Sequence, residues 1–337
     1  MQKINLKVKI IAEIGNTHEG SLGLAKQFIK AAAECGVDAV KFQIHIFDAE
    51  SLPSAPNPPY FKDETRKEYF ERTAFSKEEW QKLKDFTEQE YGLEFLASPF
   101  SNRAVELLEG IGIKTYKIAS GEVTNLPMLK KIARTKKTVL LSSGMSNWNE
   151  IHDAVQTLTE NGCTDLTILQ CTSDYPCLPK NAGLNVLDQL KKKYPDHKIG
   201  YSDHTLGTAI PIAAVCKGAT VIEKHFALSK KMYGSDAQFS SEPDEFKLLV
   251  DSIKAVEEGL KHHINKDEKA TSLTTMKKTF EKMIVASRNL PQGTIIQEDD
   301  LAYKKPMEGV PANKYKEVIG KKLDTEILKN YPIKKDD

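Results

Sequence analysis

Two lysines and two histidines interrupt short apolar runs of the sequence, where charged residues are uncommon. Lys41 lies within AVKFQI and Lys117 within TYKIAS, and the histidines close the segments YSDH (His204) and IEKH (His225). Lysines are almost never buried unless they are paired with an anionic group. Two lysines at such positions therefore indicate an anionic substrate.

Hydroxyl side chains follow apolar runs of the same kind. Ser98, Ser120 and Ser202 would supply hydrogen-bond donors beside the lysines, and a phosphate or carboxylate is the natural ligand of such a set. The alternative is that the lysine side chains extend from the strand ends into solvent, where their charge is hydrated.

The spacing of the histidines is compatible with a metal site. Side chains alternate between the two faces of a strand, so Ser202 and His204 should share a face, as should Glu223 and His225. Two imidazoles from adjacent strands suit a divalent ion such as Mn, Fe, Co or Zn, with positions left for water or substrate. A structural, hydrogen-bonded role for each histidine is the alternative.

These residues lie in a series of eight strand–helix units. Apolar, β-branched runs predict strands at 8–15, 39–44, 93–100, 115–120, 137–144, 165–173, 198–205 and 220–228, each followed by a helical pattern. Eight parallel strands within about 260 residues predict a closed (β/α)8 barrel, an α/β fold whose active site lies at the carboxyl ends of the strands. An open doubly wound sheet is disfavoured because GNTH, rather than G-x-G-x-x-G, follows the first strand.

The 337-residue chain is longer than one barrel requires. We expect the barrel in residues 1–262, a polar linker in 263–281 and a small domain in 282–337, where short strand patterns resume. The segment 48–75 is too long for a plain connection between a strand and a helix, and it predicts a lid over the site. A disordered surface insertion is the other interpretation.

Composition excludes several classes of function. Lys and Arg number 48 and Asp and Glu 47, a net charge of +1 that disfavours a dedicated nucleic-acid or anionic-membrane binder. No apolar stretch approaches the roughly 20 residues that span a bilayer, and the first residues lack the apolar core of a secretory signal. Five cysteines without a C-x-x-C pair favour reduced thiols. We therefore expect a cytoplasmic protein with neither nucleic-acid nor membrane partners.

Eight motifs together resemble one enzyme family. IIAEIGNTHEGSLGLAKQFIKAA, GVDAVKFQ, FLASPF, YKIASGE, LLSSGMS, LQCTSDYP, GYSDHT and VIEKHF occur in the order and spacing of the sialic acid synthases, which condense phosphoenolpyruvate with a sugar. Residues 282–337 resemble the antifreeze-like (SAF) domain that follows the barrel of those enzymes. The resemblance implies that phosphoenolpyruvate adds through C3 to the aldehyde of an N-acetylated hexosamine, giving a nine-carbon 2-keto acid and phosphate.

The resemblance also implies roles for particular residues. Phosphoenolpyruvate would bind Lys41, Ser98, Lys117, Ser120, Ser173 and Ser202, and the sugar would contact Gln43, Tyr175, Asp236 and Lys305. Glu13 and Glu122 are the acid and base candidates, with the proton moved by each left open. His204 and His225 would take part in catalysis by holding a divalent metal, with Mn or Mg favoured. The antifreeze-like domain implies a domain-swapped homodimer.

Two positions depart from the family pattern. Ser173 replaces the Asn that usually follows the Cys-Thr pair, and Lys305 replaces an Arg before a Pro in the antifreeze-like domain. A lysine does not reproduce the bidentate fork of arginine. The resemblance with these departures leads us to expect N-acetylmannosamine or a 6-deoxy diacetamido analogue as the sugar.

Two other functions remain open at this point. One is a barrel aldolase that forms a Schiff base through Lys41 or Lys117. The other is a non-catalytic carbohydrate- or ice-binding protein that uses only the small domain. The convergence of lysines, histidines and acids at the strand ends favours the synthase.

Overall fold

A computed structural model describes residues 7–57, 64–234, 236–305 and 308–335. The chain divides into two compact units, Met1–His262 and His263–Asp337. The first unit holds the strand–helix repeats, and the second holds the two short helices and the small sheet that follow them.

The first unit is a closed barrel of eight parallel strands in chain order, as the sequence predicts. The predicted (β/α)8 fold is thus confirmed. The strands are Lys9–Gly15 (β1), Ala39–Ile44 (β2), Glu94–Pro99 (β3), Thr115–Ile118 (β4), Thr138–Ser142 (β5), Leu166–Cys171 (β6), Lys198–Asp203 (β7) and Val221–His225 (β8).

Helices follow the strands and cover the outside of the barrel. The first begins at Ser21, whose side chain accepts from the Leu24 amide, and ends at Gly36 in the left-handed conformation. The helices of this unit are Leu22–Cys35 (α1), Phe47–Glu50 (α2), Arg66–Thr73 (α3), Lys77–Asp85 (α4), Asn102–Gly110 (α5), Leu126–Ala133 (α6), Trp148–Glu160 (α7), Leu184–Lys193 (α8), Ala209–Cys216 (α9) and Pro243–Lys261 (α10).

The interior of the barrel contains an apolar layer directly beneath the polar strand ends. One buried cluster consists of Ile11, Ala39, Leu96, Leu140, Leu169 and Val221, each from a different strand. Because side chains on one face recur every two residues, the next inward positions on these strands are polar. Those positions are Glu13, Lys41, Ser98, Ser142, Cys171 and Glu223.

A glycine allows this layer to pack tightly. A Cβ atom at Gly200 would lie 2.5 Å from Cδ2 of Leu169 and 2.8 Å from the Val221 carbonyl oxygen. Only glycine therefore fits at this position of β7 unless its neighbours move. The apolar layer closes the barrel below the polar residues.

The second unit begins with two short helices, Lys266–Ser272 (α11) and Thr274–Phe280 (α12), in the stretch expected to be a linker. The strands Met283–Ala286 (β9) and Leu301–Lys304 (β10) then pair antiparallel. A separate apolar core includes Ile284, Leu290, Ile296 and Leu323. Across the described ranges of both units, no helix combines the length and apolarity needed to cross a membrane.

Candidate active site

A cavity of about 580 Å³ opens at the carboxyl ends of the barrel strands. It is lined by every residue of the first unit that the sequence nominates for catalysis or binding. These are Glu13, Lys41, Gln43, Ser98, Lys117, Ser120, Glu122, Ser173, Tyr175, Ser202, His204, His225 and Asp236. Lys305 belongs to the second unit, where its ammonium group lies 5.3 Å from the ring centre of Phe280.

Two lysines and two glutamates form an ion-pair network at the floor of the cavity. Lys41 Nζ lies 2.7 Å from Glu13 Oε2 and 3.9 Å from Glu223 Oε2. Lys117 Nζ lies 3.0 Å from Glu223 Oε1. The lysine side chains are 3% and 4% exposed, so they do not extend into solvent as the alternative interpretation supposed.

The network favours the charged forms of Glu223 and Lys41. Burial alone would raise the pKa of Glu223, but Lys117 and Lys41 outweigh it and hold the pKa at about 2. Burial likewise opposes the charge on Lys41, yet Glu13 and Glu223 raise the pKa of this lysine. The floor thus presents two ammonium groups whose charges are balanced by carboxylates until an anion enters.

Hydroxyl groups surround this network. Lys41 Nζ donates to Ser98 Oγ at 3.2 Å, and Ser202 Oγ donates to Glu223 Oε1 at 2.9 Å. Ser120 accepts a hydrogen bond of 3.1 Å from the Gly144 amide. A Cβ atom at Gly144 would lie 2.6 Å from Ser120 Oγ and 2.4 Å from Ser173 Oγ, so any larger residue there would displace these two hydroxyls.

The two histidines come together at the rim. Their ring centres are 5.4 Å apart, and the Tyr175 ring lies 4.2 Å from His204 and 6.0 Å from His225. Burial opposes protonation of both rings. It lowers the pKa of His225, whereas Cys171 and the Thr172 carbonyl reverse the effect and raise the pKa of His204.

The histidines are suited to hold a metal ion. His204 Nδ1 donates to the Thr172 carbonyl at 2.8 Å, an arrangement that leaves Nε2 with a lone pair for coordination. His225 Nδ1 is buried and makes no hydrogen bond within the described part of the chain. That same part contains no group of three or more His, Cys, Asp or Glu residues arranged around a metal position. The protein would thus supply two imidazoles, with water or substrate completing the shell.

Glu122 ends the short turn Ser120–Glu122 that follows β4, and it lines the same cavity. Its carboxylate accepts a hydrogen bond of 2.8 Å from the Asn125 amide nitrogen. Burial raises the pKa of Glu122, and nearby Glu50 adds to the effect. Glu122 is therefore better able than a solvated glutamate to carry a proton near neutral pH.

Several residues that line the cavity were not identified from the sequence. Cys171 is the next inward residue of β6 after Leu169, and it lies 3.8 Å from His204 Nδ1. Burial opposes ionisation of its thiol, but His204 outweighs burial and lowers the pKa of Cys171 to about 7. The period-two recurrence of inward-facing side chains along β6 could have identified Cys171 from the sequence.

The segment predicted as a lid supplies another group of unidentified residues. Its described parts include α2 and α3, and Glu50, Arg66, Tyr69 and Phe70 from these helices line the cavity. Positions 58–63 of this predicted lid are outside the described ranges. No periodic pattern marked these residues because a long loop does not fix the direction of its side chains.

Comparison with known proteins identifies the family. The model of the NeuB family matches residues 28–265, and that of the SAF domain matches residues 281–337. The chain therefore belongs to the NeuB family, and the resemblance to the sialic acid synthases is confirmed. As predicted, it is an enzyme of the nonulosonic acid synthase type with a C-terminal SAF domain.

Two relatives and one solved structure illustrate the similarity. The N,N'-diacetyllegionaminic acid synthase of Campylobacter jejuni is 39% identical, over 94% of this chain and 95% of that protein. The N-acetylneuraminate-9-phosphate synthase of Homo sapiens is 36% identical, over 93% and 88%. The N-acetylneuraminic acid synthetase of Leptospira borgpetersenii, solved with citrate, is 32% identical with a TM-score of 0.70, covering 82% of this chain and 93% of that one.

Proposed function

We propose that this member of the NeuB family condenses phosphoenolpyruvate with an N-acetylated hexosamine to give a nine-carbon 2-keto acid and phosphate. The observation that carries the proposal is the pair of buried lysines, Lys41 and Lys117, in the same cavity as a converging histidine pair. A substrate with a phosphate and a carboxylate matches two ammonium groups surrounded by hydroxyl donors.

Phosphoenolpyruvate would occupy the floor of the cavity. Lys41 and Lys117 would bind its two anionic groups, and the hydroxyl donors would orient them; these donors are Ser98, Ser120, Ser173 and Ser202. The short hydroxyl of Ser173 replaces the longer amide usual in the family, which leaves room for a water molecule beside the phosphate.

The hexosamine would lie above phosphoenolpyruvate, toward the rim. Gln43, Tyr175 and Asp236 line that part of the cavity and would contact its hydroxyl or N-acetyl groups. The two relatives compared above carry names of different sugar acids. N-acetylmannosamine and a 6-deoxy diacetamido hexosamine are therefore the two substrates to be tested.

The carboxylates would move two protons. C3 of phosphoenolpyruvate forms a bond to the aldehyde carbon, and the aldehyde oxygen takes a proton. Glu122 would donate this proton, since burial raises its pKa. Water then attacks C2, and Glu13, which pairs with Lys41 and accepts a hydrogen bond from Gln43, would accept the proton that water loses. Phosphate leaves with cleavage of the C–O bond.

A divalent metal, Mn or Mg, would be held by His204 and His225. When bound, it would act as a Lewis acid toward the aldehyde oxygen. The Thr172 carbonyl fixes the His204 ring, and the Tyr175 ring packs beside both imidazoles. These contacts would keep the rings in place before the metal and the sugar arrive.

We also propose that the enzyme is a homodimer in which residues 282–337 of one copy cover the cavity of the other. Large apolar side chains are exposed on four different loops that follow barrel strands, where a covering domain would bury them. They are Leu52 (73% exposed), Met145 (64%), Leu178 (53%) and Leu206 (58%). A domain of about 55 residues buries little apolar surface by itself and gains stability by docking. Lys305 would then reach the partner's sugar.

We also propose a cytoplasmic location for the enzyme.

Product analysis tests the function directly. The protein is incubated with phosphoenolpyruvate, Mn²⁺ and a panel of N-acetylmannosamine and 6-deoxy diacetamido hexosamines, and the products are identified by mass spectrometry. A 2-keto acid heavier than the sugar by the pyruvate unit supports the proposal. Borohydride trapping of a sugar or pyruvate on a lysine would instead indicate the Schiff-base aldolase, and failure to bind phosphoenolpyruvate would favour the non-catalytic binding protein.

A further inference from the structure

A chain of hydrogen bonds runs from the lid segment to the carboxylate of Glu13. Glu50 Oε1 lies 2.7 Å from His45 Nδ1, and His45 Nε2 lies 3.3 Å from Gln43 Oε1. Gln43 Nε2 then donates to Glu13 Oε1 at 2.8 Å. The His45 and Glu50 side chains are each 8% exposed, so water competes little with these bonds.

The direction of donation along this series of hydrogen bonds is fixed. A carboxylate of Glu13 only accepts, so Gln43 must present its amide nitrogen to Glu13 and its carbonyl oxygen to His45. His45 Nε2 must therefore carry a hydrogen. The bond to Glu50 then requires one further proton, either on His45 Nδ1 or on Glu50.

Contacts from three other elements hold the His45 ring. Phe70 of α3 stacks on one side at 3.8 Å between ring centres with an interplanar angle of 5°, and Phe100 after β3 stacks at 4.0 Å and 21°. The second oxygen of Glu50 accepts from the Ile46 amide at 3.3 Å. Glu122 lies close enough to feel both residues: Glu50 raises the pKa of Glu122, and His45 lowers it.

We infer that His45, supported by Glu50, is a positioning residue for the reaction: it holds the Gln43 amide so that Gln43 orients Glu13. This inference rests on the proposed function, because Glu13 is the carboxylate proposed there to accept a proton. It assigns a task to two residues that touch neither the lysine floor nor the histidine pair. It also links α2 and α3, through Glu50 and Phe70, to the proposed catalytic carboxylate.

Substitution of His45 by Phe separates the stacking of this side chain from its hydrogen bonding. H45F keeps an aromatic ring between Phe70 and Phe100 but removes the donor to Gln43. We expect kcat to fall about three- to tenfold, the effect of one lost hydrogen bond, while KM for phosphoenolpyruvate stays unchanged. Phe100→Leu is the matched control, since it removes one stacking contact and keeps the imidazole; its kcat should stay closer to the wild-type value.

A double-mutant cycle tests whether His45 acts through Gln43. In a Q43A background, H45F should cause no further loss of kcat, because the residue it positions is already absent. Full multiplication of the two effects would overturn the inference, as would an unchanged kcat in H45F alone.

Two substitutions of Glu50 test the direction of donation along these hydrogen bonds. In E50Q the new amide donates to His45 Nδ1, which leaves Nε2–H to donate to Gln43. E50Q should therefore keep most of the activity that E50A loses, and equal losses in both would contradict that direction of donation. If H45F misfolds, the comparison of E50Q with E50A still tests whether His45 positions Gln43.

A crystal structure of H45F gives a readout that does not depend on turnover. The Gln43 nitrogen should move beyond hydrogen-bond distance, about 3.5 Å, from Glu13 Oε1. If it stays in place, the inference is wrong even though the proposed function stands. Conversely, a wild-type protein that makes no 2-keto acid refutes the proposed function, and the structure of H45F still shows whether His45 holds Gln43.

Discussion

Replacement of Glu223 by Gln is expected to destabilise the barrel strongly, because this carboxylate neutralises two buried lysines. Glu223 Oε1 pairs with Lys117 at 3.0 Å, and Oε2 lies 3.9 Å from Lys41. In E223Q only Glu13 remains to balance the two ammonium groups in the floor network. An uncompensated buried charge is costly.

The pKa of Glu223 gives the magnitude. Its pKa falls from an ordinary value of 4.5 to about 2, despite the opposing effect of burial, because of Lys117 and Lys41. At about 1.4 kcal/mol for each pKa unit, this shift corresponds to about 3 kcal/mol of folding free energy at neutral pH. That figure agrees with the roughly 3–5 kcal/mol lost when one partner of a buried pair is removed.

The sign of the pH dependence follows from the lowered pKa. A carboxylate whose folded pKa lies below its unfolded pKa contributes its full stability above about pH 4.5 and loses it as the pH falls toward about 2. The difference between wild type and E223Q should therefore be complete at pH 7.5 and fall to roughly half at pH 3.

Urea unfolding followed by tryptophan fluorescence measures this difference in the barrel alone, because the only two tryptophans, Trp80 and Trp148, both lie in the first unit. E106Q is the control for a Glu-to-Gln change. It removes one partner of the pair between Glu106 and Lys131, whose side chains are 64% and 35% exposed, and should leave the unfolding curve nearly unchanged.

Added phosphate provides a second test of the same reasoning. An anion that binds between Lys41 and Lys117 would replace the lost carboxylate, so phosphate should stabilise E223Q more than wild type. Equal unfolding free energies for E223Q and wild type at pH 7.5 would refute the electrostatic account of the floor. Equal stabilisation by phosphate would show that the lysines do not form the anion site.

Three further outcomes are expected. H204A and H225A should each abolish turnover while the unfolding curve changes little, and a chelator should do the same until Mn²⁺ is added back; near-normal activity after chelation would exclude the Lewis-acid role. With ¹⁸O in the bridging position of phosphoenolpyruvate, the label should leave in inorganic phosphate, and its presence in the keto acid would contradict C–O cleavage. Truncation after Lys261 should give a monomer with little sugar turnover, and if K305A is strongly impaired, co-refolding it with H204A should restore about one active site in each hybrid dimer. Failure of that complementation would mean that each small domain serves its own barrel.

The barrel and its inward residues could be predicted because period-two alternation acts on every strand. Ser202 with His204, and Glu223 with His225, were expected to share a face, and all four line the cavity. An apolar layer lies two residues earlier on the strands. Because closure of the barrel requires apolar side chains to fill its interior, the inward positions alternate regularly with the outward ones.

The alternation of side chains along a strand does not predict which oppositely charged residue each charged residue will pair with. Glu223 was recognised as a strand-end residue, but its position between Lys41 and Lys117 depends on the register of strands that are not adjacent. His45 follows Gln43 by two residues on the same chain, yet β2 ends at Ile44, so its contact with Glu50 is set by the loop. The direction of loop side chains depends on tertiary packing.

The residues between the site residues explain how the two histidines are held together. Asp203 lies between Ser202 and His204, and Lys224 lies between Glu223 and His225, so both point away from the cavity. They are paired in register across β7 and β8, with Lys224 Nζ 2.6 Å from Asp203 Oδ2, and both are almost completely buried.

Lys224 also donates to the Thr205 carbonyl, and the Thr205 amide and hydroxyl donate to Asp203. This outward-facing pair therefore fixes the backbone on both sides of His204 and ties it to the strand that ends in His225. A pair of imidazoles binds a metal only if their separation is maintained, and a one-residue register shift of either strand would turn the histidine of that strand out of the cavity. The buried pair on the outer face of β7 and β8 thus stabilises the arrangement on which the proposed chemistry at the inner face depends.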